Sequence, residues 1–215
     1  MVSAGRRAPR SDGEATRQRI LEAAGQRIAA NGFAATTSKE IAALAEVDLA
    51  SINHHFGGRA GLYQATLAEA HRRFLDAAVL ERLARSSQPA EEKLRALIRL
   101  LIGGSAGAAR WPLVLIMREV LQPSPHLLTL QVEVVLPKLH LLLPVISDLS
   151  GLPPDDPRLW HSLPSVVLPC AIHLMARQMD SPFTNRITSK NTEEIADLLF
   201  TFALGGLRAV AAGRG

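Results

Sequence analysis

The residues best equipped for chemistry lie between Thr36 and Leu62, in the stretch TTSKEIAALAEVDLASINHHFGGRAGL. Thr37, Lys39, Leu49, Ala50, Ser51, Asn53, His54, His55 and Arg59 form a polar, mostly neutral set with no acidic member. Such a set suits nucleic acid: hydroxyls, imidazoles and cations bond phosphate oxygens, whereas Ser51 and Asn53 are suited to base edges. An asparagine can pair with adenine in the major groove for roughly 1–3 kcal/mol of discrimination. Adjacent residues on a helix point apart, so phosphate and base contacts suit His54 and His55 better than a shared metal.

Other chemistry is thinly represented. Cys170-x-x-His173, joined by His161, is a metal-like fragment, but two buried neutral groups are the commoner meaning of such spacing. No glycine-rich phosphate loop, G-x-S-x-G elbow or H-E-x-x-H pair occurs. The expectation is therefore no enzyme and no cofactor.

Positioning the first set requires short, capped helices. Thr37 with Glu40 fits a capping box that starts one helix, in which Ile41, Leu44 and Ala45 form an apolar stripe. Asp48 caps a second helix, anchored by Val47, Ile52 and Phe56. A preceding helix over Thr16 to Phe33 carries Ile20, Ala24 and Ile28 on one stripe and stops at Asn31-Gly32. This is helix-turn-helix logic, with the second short helix presented to a DNA groove.

Past residue 60 the periodicity is helical throughout, so the predicted fold is all-α. Further helices are expected from Arg59 to Arg85, Glu91 to Gly103 (closed by GGSAGAAR), Trp111 to Gln122, His126 to Leu149, Pro157 to Met179 and Thr192 to about Ala211, nine in all. Leu159 to Ala176 contains no Asp, Glu, Lys or Arg, yet its histidines, serines and prolines make it too polar for a membrane span. It is expected to be buried on two sides, against its own domain and against a second copy, with the last helix and its Gly205-Gly206 supplying a matching surface.

The 36–62 stretch resembles the TetR family of bacterial transcriptional regulators, whose pattern runs T-x-x-x-I-A-x-x-A-G-V-S-x-x-x-L-Y-x-H-F-x-x-K-x-x-L. The matching residues are Thr37, Ile41-Ala42, Ala45-Glu46-Val47-Asp48, Ile52-Asn53-His54-His55-Phe56, Arg59 and Leu62, in register without a gap. INHHFGG and PSPHL are similar to the CecR-type subgroup. Two departures stand out. Glu46 replaces a glycine at a turn position that can require positive φ, at about 1 kcal/mol. Asn53 replaces a common aromatic, so base choice cannot be copied from relatives. The resemblance implies a homodimer joined through a four-helix interface. It also implies two reading heads about 34 Å apart on double-stranded DNA, and hence a palindromic operator.

A chain of 215 residues with 47% apolar and 20% charged residues is of ordinary globular composition. The net charge of +4 and pI near 9.8 favour an anionic partner without identifying it. One cysteine, no apolar run behind the basic N-terminus and no membrane anchor point to a cytoplasmic protein. The expected division is a disordered basic arm (1–14), a helix-turn-helix DNA-binding domain (15–62) and a ligand-binding and dimerisation domain (63–215). Arg6, Arg7 and Arg10 either reach into a minor groove or belong to a solvated tail diluted by Asp12 and Glu14.

Pro137, Pro144, Pro164 and Pro169 each remove a helical N–H, opposite Glu133, His140, Trp160 and Ser165, and kinked helices leave gaps. A mostly apolar effector pocket is therefore expected, with Phe74, Trp111, Leu115, Arg118, His140 and His173 as its lining, although each is also an ordinary core or interface residue. The functional expectation is a repressor released from its operator by a small apolar or aromatic effector. The alternative is a helical small-molecule-binding protein without DNA binding.

Overall fold

The computed structural model describes residues 10–103 and 110–212, and these form eleven helices and no strand. They are α1 (Arg10–Asn31), α2 (Ser38–Leu44), α3 (Leu49–Phe56), α4 (Arg59–Phe74), α5 (Ala77–Ala84) and α6 (Ala90–Gly103). There follow α7 (Trp111–Leu121), α8 (Leu127–Ser150), α9 (Arg158–Ala176), α10 (Pro182–Ile187) and α11 (Thr192–Ala212). The all-α expectation holds, but the count of nine was two short.

Both additional helices begin at caps that apolar periodicity does not register. The expected helix from Arg59 to Arg85 breaks where Leu75 turns extended (φ −152°), and Asp76 then accepts from the N–H groups of Ala78 and Val79 to start α5. Ser181 starts α10 through a capping box with Thr184. The first helix begins at Arg10, so the residues expected to be disordered up to 14 are partly helical. The rest of the basic arm, with Arg6 and Arg7, and most of the GGSAGAAR loop lie outside the described residues.

The buried apolar side chains form two clusters. One joins α1–α4, through Ile20, Ile28, Ile41, Ile52, Leu62 and Leu67, to Trp111 and Leu115 of α7 and Leu130 of α8. The head's core thus draws on residues well beyond Leu62. The second cluster joins α5, α6, α8, α9 and α11, with Leu97, Leu101, Ile146, Leu163 and Leu174 among its members. Leu44 is an exception to the expected stripe: Ile41 and Ala45 are buried, but Leu44 is 43% exposed because α2 turns it outward beside α3.

Prolines shape α8 locally. Just before Pro137 the backbone widens into a π-helical segment, Gln131–Val135, whose end closes with Leu136 N–H on Gln131 O. A wide turn next to a residue without an N–H absorbs the missing bond. By length and composition α8 and α9 could each cross a membrane, but α9 packs against α6, α8 and α11 and keeps only one side uncovered.

Candidate nucleic-acid interface

Each short helix of the head is held by its own hydrogen bonds. Thr37 N–H and Oγ1–H both donate to Glu40 Oε2, at 2.7 and 2.9 Å, and Thr37 Oγ1 accepts from Glu40 N–H. These backbone and hydroxyl donors hold the Glu40 carboxyl below its ordinary pKa. Asp48 Oδ1 accepts from Ser51 Oγ (2.6 Å) and Ser51 N (2.7 Å), which lowers its pKa likewise. The hydroxyl protons of Thr37 and Ser51 are therefore committed to caps, and what each oxygen still offers a nucleic acid is acceptor capacity.

Between the two helices Glu46 adopts φ +55°, the one positive-φ residue other than glycine among the described residues. The turn is nevertheless closed by Val47 N–H on Ala42 O. At the far end of α3, Gly57 in the left-handed region (φ +69°) donates to Asn53 O, and Gly61 of α4 lies so close to Phe56 that a Cβ would sit 2.0 Å from its carbonyl oxygen. Ile52 is fully buried, which fixes the roll of α3 and leaves Leu49, Ala50, Asn53 and His54 exposed. His55 is half-buried beside Phe56, and Lys39 is exposed on α2.

Arg59 is also engaged within the protomer. Its Nη2 donates to the carbonyls of Phe33 (2.5 Å), Thr36 (3.0 Å) and Ala34 (3.4 Å), and its guanidinium lies over the Phe33 ring at 4.3 Å. The cation therefore ties the α1–α2 loop to the start of α4 through Nη2, while the residue itself stays exposed. Phe33 is also stacked on Tyr63 at 4.2 Å.

The six expected pocket residues are not brought together. Trp111 lies flat on Gly25 of α1 and donates through Nε1 to Glu22 Oε1 (3.0 Å). Glu22 also receives Arg73 (2.6 Å), which bonds Glu69 (2.7 Å) and lies over the Trp111 ring. Burial opposes ionisation of Glu22 and Glu69, but their arginine partners outweigh it and hold both carboxyls below the usual range. Arg118 donates to Ala29 O and Ala30 O, the terminal carbonyls of α1. Trp111, Leu115 and Arg118 thus form the joint between α7 and the head, where α1 ends and α4 passes. Leu115 and Arg118 share a cleft of about 320 Å³ with Phe33, Tyr63 and Glu119. Phe74 packs on the second core, His140 is exposed with its ring 5.1 Å from that of Trp160, and His173 is buried in α9. A larger cavity, about 500 Å³, is an open groove between α9 and α11, and none of the six lines it.

Other joint residues carried no sequence signal except their type. Tyr63 OH donates to Glu119 Oε2 at 2.6 Å, and burial followed by that carboxylate raises its pKa. Lys138 is buried and donates to His71 O (2.8 Å) in the last turn of α4 and to Leu75 O (2.5 Å) just past its end; burial pushes the lysine down to about 8. Burial, then the charge of Lys138, pushes His71 down to about 4. Cys170 is buried with its thiol pushed up to about 12, and among the described residues no three His, Cys, Asp or Glu side chains gather as a metal site.

Comparison with known proteins follows the same division. Residues 20–66 match the model of bacterial regulatory proteins of the tetR family, and residues 90–209 match that of the C-terminal domain of the HTH-type transcriptional dual regulator CecR. No curated protein sequence matches the chain. Among solved structures, a TetR-like transcriptional regulator from Rhodococcus sp. RHA1 is 21% identical with a TM-score of 0.66, covering 97% of this chain and 100% of that one. The fatty acid degradation regulator FadR from Bacillus halodurans is 20% identical (TM-score 0.67), covering 89% of this chain and 100% of its own. FadR from Bacillus subtilis, solved in complex with stearoyl-CoA, is 17% identical (TM-score 0.68), covering 88% and 98%. At these identities the structures speak for a shared fold.

Proposed function

The chain belongs to the TetR family of bacterial transcriptional regulators, with a CecR-type C-terminal domain, and we propose that it is a homodimeric, cytoplasmic repressor that leaves a palindromic operator when a small apolar effector binds. The observation that carries this reading is the outer row of α3. Leu49, Ala50, Asn53 and His54 are exposed on a helix capped at both ends and anchored by a fully buried Ile52. A rigid helix with exposed polar and small apolar tips is what direct readout in a major groove requires.

In this reading residues 15–62 form the DNA-binding head and residues 63–215 the effector-binding and dimerisation body. Asn53 and Ser51 choose bases, while Lys39, Thr37, His54 and His55 engage the backbone, with Arg59 holding the loop that positions them. The joint explains how an effector would act. α4 is tied at its end by Lys138 and along its length by Tyr63–Glu119 and Arg73–Glu22, so any shift of α7 or α8 is passed to the head. Moving the population from 99:1 to 1:99 requires an effector preference of about 5.5 kcal/mol for the released form. The stearoyl-CoA bound by the Bacillus subtilis FadR supports an apolar effector class.

The test is a binding series with duplex DNA from upstream of the chain's own gene, at several salt concentrations, against random competitor. Preferential binding of one palindromic segment, with affinity falling steeply as salt rises, is expected. Equal binding to all duplexes would favour the alternative, a small-molecule-binding protein whose head does not read DNA.

A further inference from the structure

Glu119 is a carboxylate buried to 3% exposure in the joint between head and body, and among the described residues it meets no cation. Glu22 and Glu69, the other carboxylates of that joint, each receive an arginine. A buried charge is costly unless it is paired. Glu119 has hydrogen bonds in place of a counter-charge: Oε1 accepts from Ser124 Oγ (2.5 Å) and Ser124 N (3.0 Å), and Oε2 accepts from Tyr63 OH (2.6 Å). Oε2 keeps room for one more donor.

Its neighbour Arg118 presents the opposite charge, also unmatched. Nε and Nη2 donate to the carbonyls of Ala29 and Ala30, and among the described residues Nη1 has no acceptor. Nη1 lies beside Gly32, where a Cβ would stand 3.4 Å from it. Successive residues leave a helix about 100° apart, so Arg118 and Glu119 do not neutralise each other. Both nevertheless line the cleft of about 320 Å³ that separates the end of α1 and its following loop from α7. Much of the remaining lining is apolar, with Ile28 and Leu115 buried beneath it. The volume is at the lower end for small-molecule sites.

We propose that this cleft binds a small organic zwitterion, its ammonium on Glu119 Oε2, its carboxylate on Arg118 Nη1 and its apolar skeleton against Ile28 and Leu115. An amine alone would bring its charge to Glu119 with the Arg118 cation still unmatched, and an acid alone would face Glu119. A guest carrying both charges satisfies both walls. It would also touch Asn31 to Ala35 on one side and Arg118 to Ser124 on the other, and so act as a strut between head and body. The site is separate from the groove between α9 and α11, and the inference goes beyond the repressor reading and stands without it.

Calorimetry and thermal unfolding on the full chain test it with phenylalanine and ε-aminocaproate as probes, each beside its amine (phenethylamine, pentylamine) and its acid (hydrocinnamate, caproate). At least one zwitterion is expected to bind once per chain and raise the Tm, with its amine and acid at least about tenfold weaker, the loss of one charge-assisted contact. Glu119→Gln is expected to weaken the zwitterion to the same extent. Ala35→Leu, at an exposed lining position, fills the cleft without entering the core, and keeps the test open if the Glu119 variant does not fold. An amine or acid that binds as tightly as its zwitterion overturns the assignment of the guest. Failure of both zwitterions to bind, or binding that Ala35→Leu leaves unchanged, overturns the site. None of these outcomes depends on whether the head reads DNA.

Discussion

A Cβ on Gly25 would lie 2.3 Å from the Trp111 ring, so the helix that opens the head and α7, inside the CecR-type region, touch through the absence of a side chain. The ring's N–H then reaches Glu22, one turn earlier on α1. This contact locks head to body without any segment that either could be cut along.

Gly25→Ala is therefore expected to destabilise the protein. In an ordinary helix the change is favourable by about 1 kcal/mol. Here overpacking against a buried tryptophan reverses the sign, to a loss of about 1–3 kcal/mol. Thermal unfolding is expected to show a Tm lower by several degrees; an unchanged or raised Tm would contradict the contact.

Arg59→Ala is expected to weaken operator binding by loosening the α1–α2 loop, with a loss of stability of about 1–2 kcal/mol because three carbonyls lose a charged donor. The slope of log affinity against log salt is expected to stay the same. Lys39→Ala is expected to do the opposite: stability is kept, and the salt slope falls by about one charge. Titrations at four salt concentrations separate the two.

Asn53→Ala is expected to change which base is preferred at one position of each half-site, by roughly 1–3 kcal/mol between best and worst bases. A library selection on single-position operator variants reads this. Uniform weakening across all variants would assign Asn53 to the phosphates.

Glu46→Gly is expected to stabilise the head by about 1 kcal/mol, because the left-handed backbone at φ +55° suits glycine and not a branched-out side chain. Urea denaturation checks this. Glu46→Asn, which tolerates the same φ, is expected to recover part of the gain.

Acid stability carries the mark of His71. Its pKa is about 4 in the folded chain against an ordinary 6.5, so between those values the unfolded chain holds more protons. Stability from this group is complete above about 6.5 and is lost as the pH falls towards 4, at up to about 1.4 kcal/mol per pH unit. His71→Gln is expected to flatten that slope, and denaturation midpoints from pH 4 to 7 show whether it does.

The reading head was legible because its signals are local. Thr37 with Glu40 and Asp48 with Ser51 are bonds between residues three apart, and the expected positive φ at Glu46 is there. The break at Asp76 was equally local but hidden, since α4 and α5 continue each other's apolar character and only the cap divides them. That the six residues expected to line one pocket divide between the joint, the second core and the surface was not legible for another reason. Trp111 and Glu22 are 89 residues apart and Lys138 and His71 are 67 apart, and no periodicity tells a residue which distant neighbour it will meet.

The sequence by itself determined the short helices of the head with their caps, that the regular structure of the described residues is helical, and which face of α3 is left to the outside, because caps and apolar spacing act over a few residues. Only the tertiary structure decided how the polar groups are spent. Arg59 and Arg118 went to backbone carbonyls, Trp111 to a joint, and the groove opened between α9 and α11. A donor's partner is set by which chain segments the two cores bring within 3 Å, and that is a property of packing, not of spacing along the chain.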